Sequence, residues 1–325
     1  MTTRELLHDA LALTEHSFAN ENPKYIKKQK NKILFHTLLN IPFAKKWFSL
    51  IQSEEYKWVL SHRPRIYFKP FRVYISTKWG KKERTKALLS CYAFIKQQPF
   101  LTRVIQEEKP IKLAEFTMKY NGEKGQIYLG YNERFRKEGE LVISLHCDSY
   151  QEAICEASFV IDKENEGWVC RIGCVQGNKS AETENAIKEL QKQMYALRPK
   201  ALMIFIIQEL SRQLGCTTLY GVGSKIQALS RQLGCTALYG VGSKIQAHNK
   251  KHFIHIEWLH KLSFSYDTLW KEADGIPDKD GWFKLPIEMH RKPMEEIKSS
   301  KRSLYRYRHE MLDKIATEIK ETINK

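Results

Sequence analysis

The side chains best suited to chemistry in this chain are cations. Lys301, Arg302, Arg306 and Arg308 fall close together near the C-terminus. Lys301 and Arg308 are seven positions apart and share a helix face with Tyr305, so the tract can bind a phosphate or an anionic headgroup. The same residues have a structural use: pairing with the acidic stretch Asp274 to Asp280 and holding the last helix to the body of the protein. Two further clusters lie in the first hundred residues: Lys24, Lys27, Lys28, Lys30 and Lys32, then Lys78, Lys81, Lys82, Arg84 and Lys86. Aromatic and basic residues interleave from Arg65 through Ile66, Tyr67, Phe68, Lys69, Pro70 and Phe71 to Arg72. Such mixing suits base stacking, a helix at a membrane interface, or a packed segment whose long cations reach outward.

Other reactive constellations are weaker. His248, His252, His255 and His260 do not form the close set of three or four ligands that zinc prefers, so no metal is expected. The seven cysteines form no metal pattern and read as free thiols of a reducing compartment. Cys91 lies near basic residues but on an apolar helical face, which favours burial over reactivity. Glu107-Glu108 and Glu295-Glu296 are adjacent in sequence and point apart on a helix, and no G-x-S-x-G elbow occurs. The pairs Gly221/Gly223 and Gly240/Gly242 lack the third glycine of a dinucleotide fingerprint and read as strand-end turns.

Charge is unevenly distributed over the 325 residues, whose formal net charge is +17. Residues 1–100 hold 19 basic and 7 acidic side chains, residues 101–200 hold 15 and 16, and residues 201–325 hold 20 and 14. A basic surface attracts polyanions such as nucleic acid or anionic lipid, although a solvated lysine-rich face has the same composition. Nucleic acid is disfavoured because no reading motif is present. Hydrophobic residues make up 42% of the chain, enough for a real core, and intrinsic disorder is excluded as the main state. The longest apolar run near the middle, Ala201 to Ile207, is far short of the about 20 residues of a membrane span. The start Met1-Thr2-Thr3-Arg4-Glu5 lacks a signal-peptide stretch, so a cytoplasmic location is expected, with peripheral contact at the inner membrane.

The elements that must position these residues fall into three regions. Residues 1–105 form a basic, mostly helical region: apolar spacing predicts helices over Glu5–His16, Lys32–Ile51 and 80–98, with Pro42 kinking or splitting the second. Residues 106–292 form an α+β core, a mixed and mainly antiparallel sheet with packed helices. Its five consecutive strands are Leu113–Tyr120, Gly125–Tyr131, Glu140–Cys147, Ala153–Ile161 and Gly167–Val175, an antiparallel meander. Helices follow at Ala181–Leu197, with Ser180 as N-cap, and after Pro199, where Ala201–Leu210 is apolar nearly all round and must be buried. A strand at Thr217–Val222 follows, and Phe253–Trp258 reads as another. Residues 293–325 form a basic C-terminal helix.

One segment is present twice. Residues 210–228 and 229–247 are identical except for Thr218 against Ala237. Solenoid repeats come in threes or more and diverge, so a single near-exact copy reads as an in-frame duplication. One slot in the sheet can take one copy; the other is expected to be displaced, lowering stability.

Several stretches carry a family likeness: Leu197-Arg198-Pro199-Lys200, Tyr266-Asp267 to Trp270, Asp280-Gly281 to Leu285-Pro286, and Ser300-Lys301-Arg302 to Arg308. Gly139-Glu140-Leu141 and Val175-Gln176-Gly177 also fit. In these the sequence resembles the VirK/YbjX family of Gram-negative bacteria, from about residue 60 to 315. The resemblance implies a link to virulence, cell-envelope integrity and tolerance of cationic antimicrobial peptides, and it carries over no catalytic residue. Where family members commonly have a His-Tyr pair, this chain has Cys91-Tyr92.

The element order also resembles the acyl-CoA N-acyltransferase fold. That resemblance implies a CoA thioester whose phosphates sit at the start of the helix near Arg198, with Arg198 and Lys200 adding charge. It implies Tyr266 as a substitute general acid, because Trp270 occupies the nearest position. Two readings of function follow: an envelope-associated protein that binds anionic lipid or an envelope component through its basic face, and an acyltransferase-like enzyme.

Overall fold

The computed structural model describes residues 2–165, 167–177, 184–224, 226 and 265–325. The chain opens with a helical layer built from well-marked helix starts. In α1 (Thr3–Ser17) the Thr2 hydroxyl and the Glu5 carboxylate cap each other's backbone amides. In α2 (Pro23–Leu38) the Asn22 side chain accepts from the Tyr25 amide, and proline stands in the first turn, where its missing N–H is harmless. Asn40 then caps α3 (Ile41–Ile51). The helix expected over Lys32–Ile51 is therefore split two residues before Pro42. It also begins earlier than expected, because its polar first half hides the apolar period.

After α4 (Lys57–His62), residues Pro64–Phe71 form a 3-10 turn in which Ile66 to Phe71 are all buried. The Arg65–Arg72 segment is thus the packed one of the three readings, with Arg65 reaching Glu133 at 2.8 Å and Glu21 at 3.1 Å. Helices α5 (Lys81–Lys96) and α6 (Pro99–Gln106) complete the layer.

The sheet follows. Strands β1 (Ile111–Thr117), β2 (Lys124–Gly130), β3 (Leu141–His146), β4 (Cys155–Glu164) and β5 (Gly167–Gly177) form the expected antiparallel meander. Helices α7 (Glu184–Gln193) and α8 (Pro199–Gln213) then carry the chain to β6 (Cys216–Val222), which runs parallel to β5. After α9 (Tyr266–Glu272), the short β7 (Ile276–Pro277) and β8 (Trp282–Leu285) finish a sheet of order β1-β2-β3-β4-β5-β6-β8-β7. The fold is α+β with a mixed, mainly antiparallel sheet.

Helix α8 is buried continuously from Leu202 to Ser211, and Gly215 at φ +72° lets the chain leave it and enter β6. Two of its buried polar residues find partners: Gln208 donates to the Pro286 carbonyl at 2.9 Å, and Glu209 pairs with Arg212. The last helix, α10 (Ser299–Ile323), packs Met311, Leu312, Ile315 and Ile319 inward. It also covers the edge of β1, where the Glu115 amide donates to the Glu318 carboxylate at 2.7 Å. One buried cluster draws on residues from Leu6 to Ile319, so the helical layer, the sheet and the last helix share a core.

The first copy of the duplicated segment fills the single slot, ending α8 and forming β6. Helix continuity favours it, because Leu210 follows Glu209 directly within α8. The glycines it supplies are needed for packing rather than for phosphate. A Cβ on Gly221 would stand 2.5 Å from the Trp270 ring, and one on Gly223 would stand 2.4 Å from the Gly281 carbonyl. The second copy, Ser180, the four histidines from His248 to His260, and the Phe253–Trp258 stretch lie outside the described residues. Among the described residues no helix is long and apolar enough to cross a membrane.

Candidate anion-binding face

Helix α2 turns one face outward along its whole length. Lys24, Lys28, Asn31 and Phe35 follow one another at helical spacing, flanked by Lys27 and Lys32. Together with His36 they line a groove of about 450 Å³. The lining holds four lysines and, among the described residues, no carboxylate. The same stripe ends in apolar residues left to solvent: Phe35 is 51% exposed, Leu38 54% and Leu39 60%. Surface leucines occur singly on most proteins; three large apolar side chains at one helix end form a patch. Lys46 on the following helix is exposed beside it in sequence.

Beneath the groove lies an aromatic floor. His36 stacks on Phe71 with centroids 6.0 Å apart and meets Phe68 edge-on at 6.0 Å, while Phe43 meets Phe71 at 5.5 Å. Cations sit on these rings. The Arg72 guanidinium is 3.5 Å from the Phe68 centroid, and Lys81 lies 5.4 Å from Phe43 and 5.8 Å from Phe71. Arg72 also donates to the Gln29 side-chain oxygen at 2.5 Å. Arg84 reaches the Pro70 carbonyl at 3.4 Å.

The electrostatic consequence is self-repulsion. Burial, then the charges of Arg72 and Lys28, pushes Lys32 down to about 8. Burial, then Arg72, Lys81, Lys32 and Arg84, pushes His36 down to about 4. Burial pushes Arg84 down to about 10, against a smaller opposing pull from Glu83. An anion entering this region relieves repulsion between groups the fold already holds.

The segment that carries Arg72 is fixed by a buried network. Glu140, fully buried just before β3, pairs with Lys69 and accepts from the Tyr74 hydroxyl at 2.7 Å and the Tyr92 hydroxyl at 2.5 Å. Burial and then the Glu140 charge hold both phenols well above their usual range. Burial likewise pushes the neighbouring Cys91 thiol far up, which makes it inert.

The residues singled out from sequence lie elsewhere. Arg198 caps the start of α8 through its backbone, and its guanidinium pairs with Glu272 of α9 at 3.2 Å on the surface; Lys200 follows, half-buried. Tyr266 is buried, and its hydroxyl donates to the Val175 carbonyl at 3.1 Å and accepts from the Val175 amide at 3.2 Å. In the C-terminal tract, Arg302 donates to the carbonyls of Ile297 and Glu295, and Arg308 donates to the Tyr195 carbonyl at 2.8 Å. Arg302 and Arg306 line a groove of about 350 Å³ that also holds Glu295, Glu310 and Asp313, so its charge is mixed. Lys301 is exposed. Backbone carbonyls, rather than the turn from Asp274 to Asp280, thus receive Arg302 and Arg308; within that turn Asp280 meets Lys78 at 3.5 Å.

Fold and face together define the class: an α+β protein whose helical N-terminal layer presents a cationic groove bordered by exposed apolar residues. The family described as "Protein of unknown function (DUF535)" matches residues 23–228 and 224–321, and the chain belongs to it. The two matched stretches overlap at residues 224–228, the end of the first copy. The uncharacterized protein YbjX of Escherichia coli is 24% identical over 289 residues, covering 88% of this chain and 81% of the relative. Two uncharacterized proteins of Haemophilus influenzae are 26% identical. One aligns over 77% of this chain and 73% of its own length, the other over 68% and 64%, so the chain spans less than two thirds of that relative. The matches bear out the VirK/YbjX resemblance and do not support one to acyl-CoA N-acyltransferases.

Proposed function

We propose that this protein binds the anionic surface of a membrane peripherally, through the outward face of α2 and the residues beside it. The observation that carries the reading is the continuity of that face: four lysines around a groove, running directly into exposed Phe35, Leu38 and Leu39. A helix lying in an interface needs both parts, cations for the phosphates and apolar side chains for the acyl boundary. From Lys24 to Lys32 the helix rises about 12 Å, so the lysines can meet several headgroups at once. On this reading the protein acts peripherally at the inner membrane from the cytoplasmic side. Such binding is the route by which the protein would serve envelope integrity and tolerance of cationic antimicrobial peptides.

Vesicle flotation tests the proposal. The protein is expected to float with vesicles containing phosphatidylglycerol, not with pure phosphatidylcholine, and to be released by high salt. Each lysine near the surface contributes about 1 kcal/mol. The combined change Lys24→Ala, Lys27→Ala, Lys28→Ala and Lys32→Ala therefore removes about 4 kcal/mol, a loss of roughly a thousandfold. Absence of binding to acidic vesicles at every salt concentration refutes the reading.

A further inference from the structure

The slot that the first copy fills makes a short set of demands on sequence. It buries Leu214, Cys216, Leu219, Val222 and Ile226. It needs glycine at position 221, against the Trp270 ring, and at position 223, against the Gly281 carbonyl. It uses serine at position 224, whose amide donates to the Asp267 carboxylate at 2.6 Å and whose hydroxyl accepts from the Asp267 amide at 3.2 Å. The ladders to β5 and β8, and the bond from the Trp270 indole to the Val222 carbonyl at 2.8 Å, are made by backbone and are indifferent to side chains. Residues 229–247 carry the same side chain at each of these positions. Leu233, Cys235, Leu238, Val241 and Ile245 repeat the apolar set, Gly240 and Gly242 the glycines, and Ser243 the serine. The one difference, Ala237 for Thr218, falls at a half-buried strand position, where its effect on stability is small.

The chain can change over at Gly215. This residue is exposed at φ +72°, and a Cβ on it would meet nothing within 4 Å, so an added connection would leave the turn into solvent. We propose that the two copies exchange, so that the folded protein is a mixture of two forms with the same sheet: one with residues 216–222 as β6, the other with residues 235–241 in that place. In the second form α8 ends as before, and residues 216–234 become the connection from α8 to the strand. The 38 residues between Ile226 and Ser265 are then replaced by 19 between Ile245 and Ser265. Nineteen suffice, because Ser224 and Ser265 stand side by side, their hydroxyl oxygens 3.4 Å apart. Chain entropy sets the ratio of the forms. Each doubling of a connection lowers its chance of closing about threefold. Opening the tight turn at Gly215 to 19 residues is about three doublings, and shortening the later connection recovers one. The first copy is therefore favoured by about tenfold, and the second is a strand in reserve. The proposal is independent of the membrane reading.

The test damages one copy at a time in the full chain. Leu219 has no exposed surface, so Leu219→Asp puts an unpaired carboxylate into the core, among the most costly of single changes. If the copies exchange, Leu219→Asp hands the slot to the second copy and lowers Tm by about 3 °C, the equivalent of the lost tenfold preference. Leu238→Asp is expected to leave Tm unchanged. The double variant Leu219→Asp/Leu238→Asp has no intact copy and is expected to lose more than about 8 °C or to fail to fold. Thiol labelling with iodoacetamide reads the occupant directly. Tryptic peptides 213–225 and 232–244 hold Cys216 and Cys235 and differ in mass through Thr218 and Ala237. Cys216 is buried in the slot, and burial pushes its thiol up to about 12, so it reacts slowly there. Leu219→Asp is expected to make Cys216 the faster cysteine and Cys235 the slower. A Leu219→Asp loss as large as that of the double variant overturns the exchange. So does a Leu219→Asp protein in which Cys216 is still the slower of the two.

Discussion

Replacing Glu140 by glutamine tests whether one carboxylate ties the helical layer to the sheet. Glu140 immediately precedes β3 and has no exposed surface, and its three partners come from different places: Lys69 from the 3-10 turn, Tyr74 from the loop beyond it, and Tyr92 from α5. Removing the charge leaves the Lys69 ammonium, 8% exposed, without its counter-ion, and turns an acceptor of three donors into a group that also donates. Breaking a buried pair from one side costs about 3–5 kcal/mol. At about 2 °C per kcal/mol for a long chain, Glu140→Gln lowers Tm by about 6–10 °C. Tyr92→Phe removes one hydrogen bond to a charged acceptor and is expected to cost about 1.5–3 kcal/mol. Lys69→Met strands the carboxylate instead and costs about as much as Glu140→Gln. The double variant Lys69→Met/Glu140→Gln removes both charges, so its loss is expected to be clearly smaller than the sum of the two single losses. Urea denaturation of the four proteins closes the cycle. A Glu140→Gln loss below about 1 kcal/mol, or strict additivity in the double variant, refutes the reasoning.

Two further outcomes follow from the same description. His36 titrates near 4 in the fold against an ordinary value of 6.5, so the folded state binds fewer protons than the unfolded state between these values. Its contribution is fully present above pH 6.5 and lost as pH falls toward 4. The loss is at most about 3 kcal/mol, and urea midpoints across this window should fall less steeply in His36→Phe than in the parent; equal slopes refute it. Deleting residues 229–247 shortens the chain between Ile226 and Ser265 from 38 residues to 19. If the second copy acts by chain length alone, halving the span gains about 0.6 kcal/mol, a rise in Tm of about 1 °C. A fall in Tm would show that the second copy makes stabilising contacts.

Local rules made much of this fold legible. The meander was readable because each strand alternates or is β-branched and is bounded by turn residues, as at Asn121-Gly122, where Gly122 takes φ +71°. Pro199 and Gly215 bracket α8 as a first-turn proline and a C-terminal glycine should. The candidate anion-binding face was legible only as charge. Between Lys24 and Lys32 the apolar period is almost silent, so the lysines read as a cluster without a helix under them; the missed signal was Asn22-Pro23, an N-cap followed by a first-turn proline. The Glu140 network left no local trace, because its partners stand 71, 66 and 48 residues away. Arg198 was correctly placed at a helix start, but its pairing with Glu272 depends on α9 docking 74 residues later.

Lys69 and Arg72 show how differently the fold treats two neighbouring cations. They are neighbours on one turn, and both are cations drawn toward the interior. Lys69 meets the carboxylate of Glu140, just before β3, and the two tyrosines complete that carboxylate's shell, so the charge is neutralised within the fold. Arg72 reaches the neutral amide of Gln29 and a phenylalanine ring, and its field falls on Lys32 and His36 with the same sign as theirs. Gathering like charges on a half-buried surface destabilises the folded state, whereas a carboxylate in place of Gln29 would have relieved it. The fold thus neutralises one cation and gathers others of like charge a turn away. The proposed binding of an anionic membrane would offset it, with the apolar tip formed by Phe35, Leu38 and Leu39 meeting the acyl boundary.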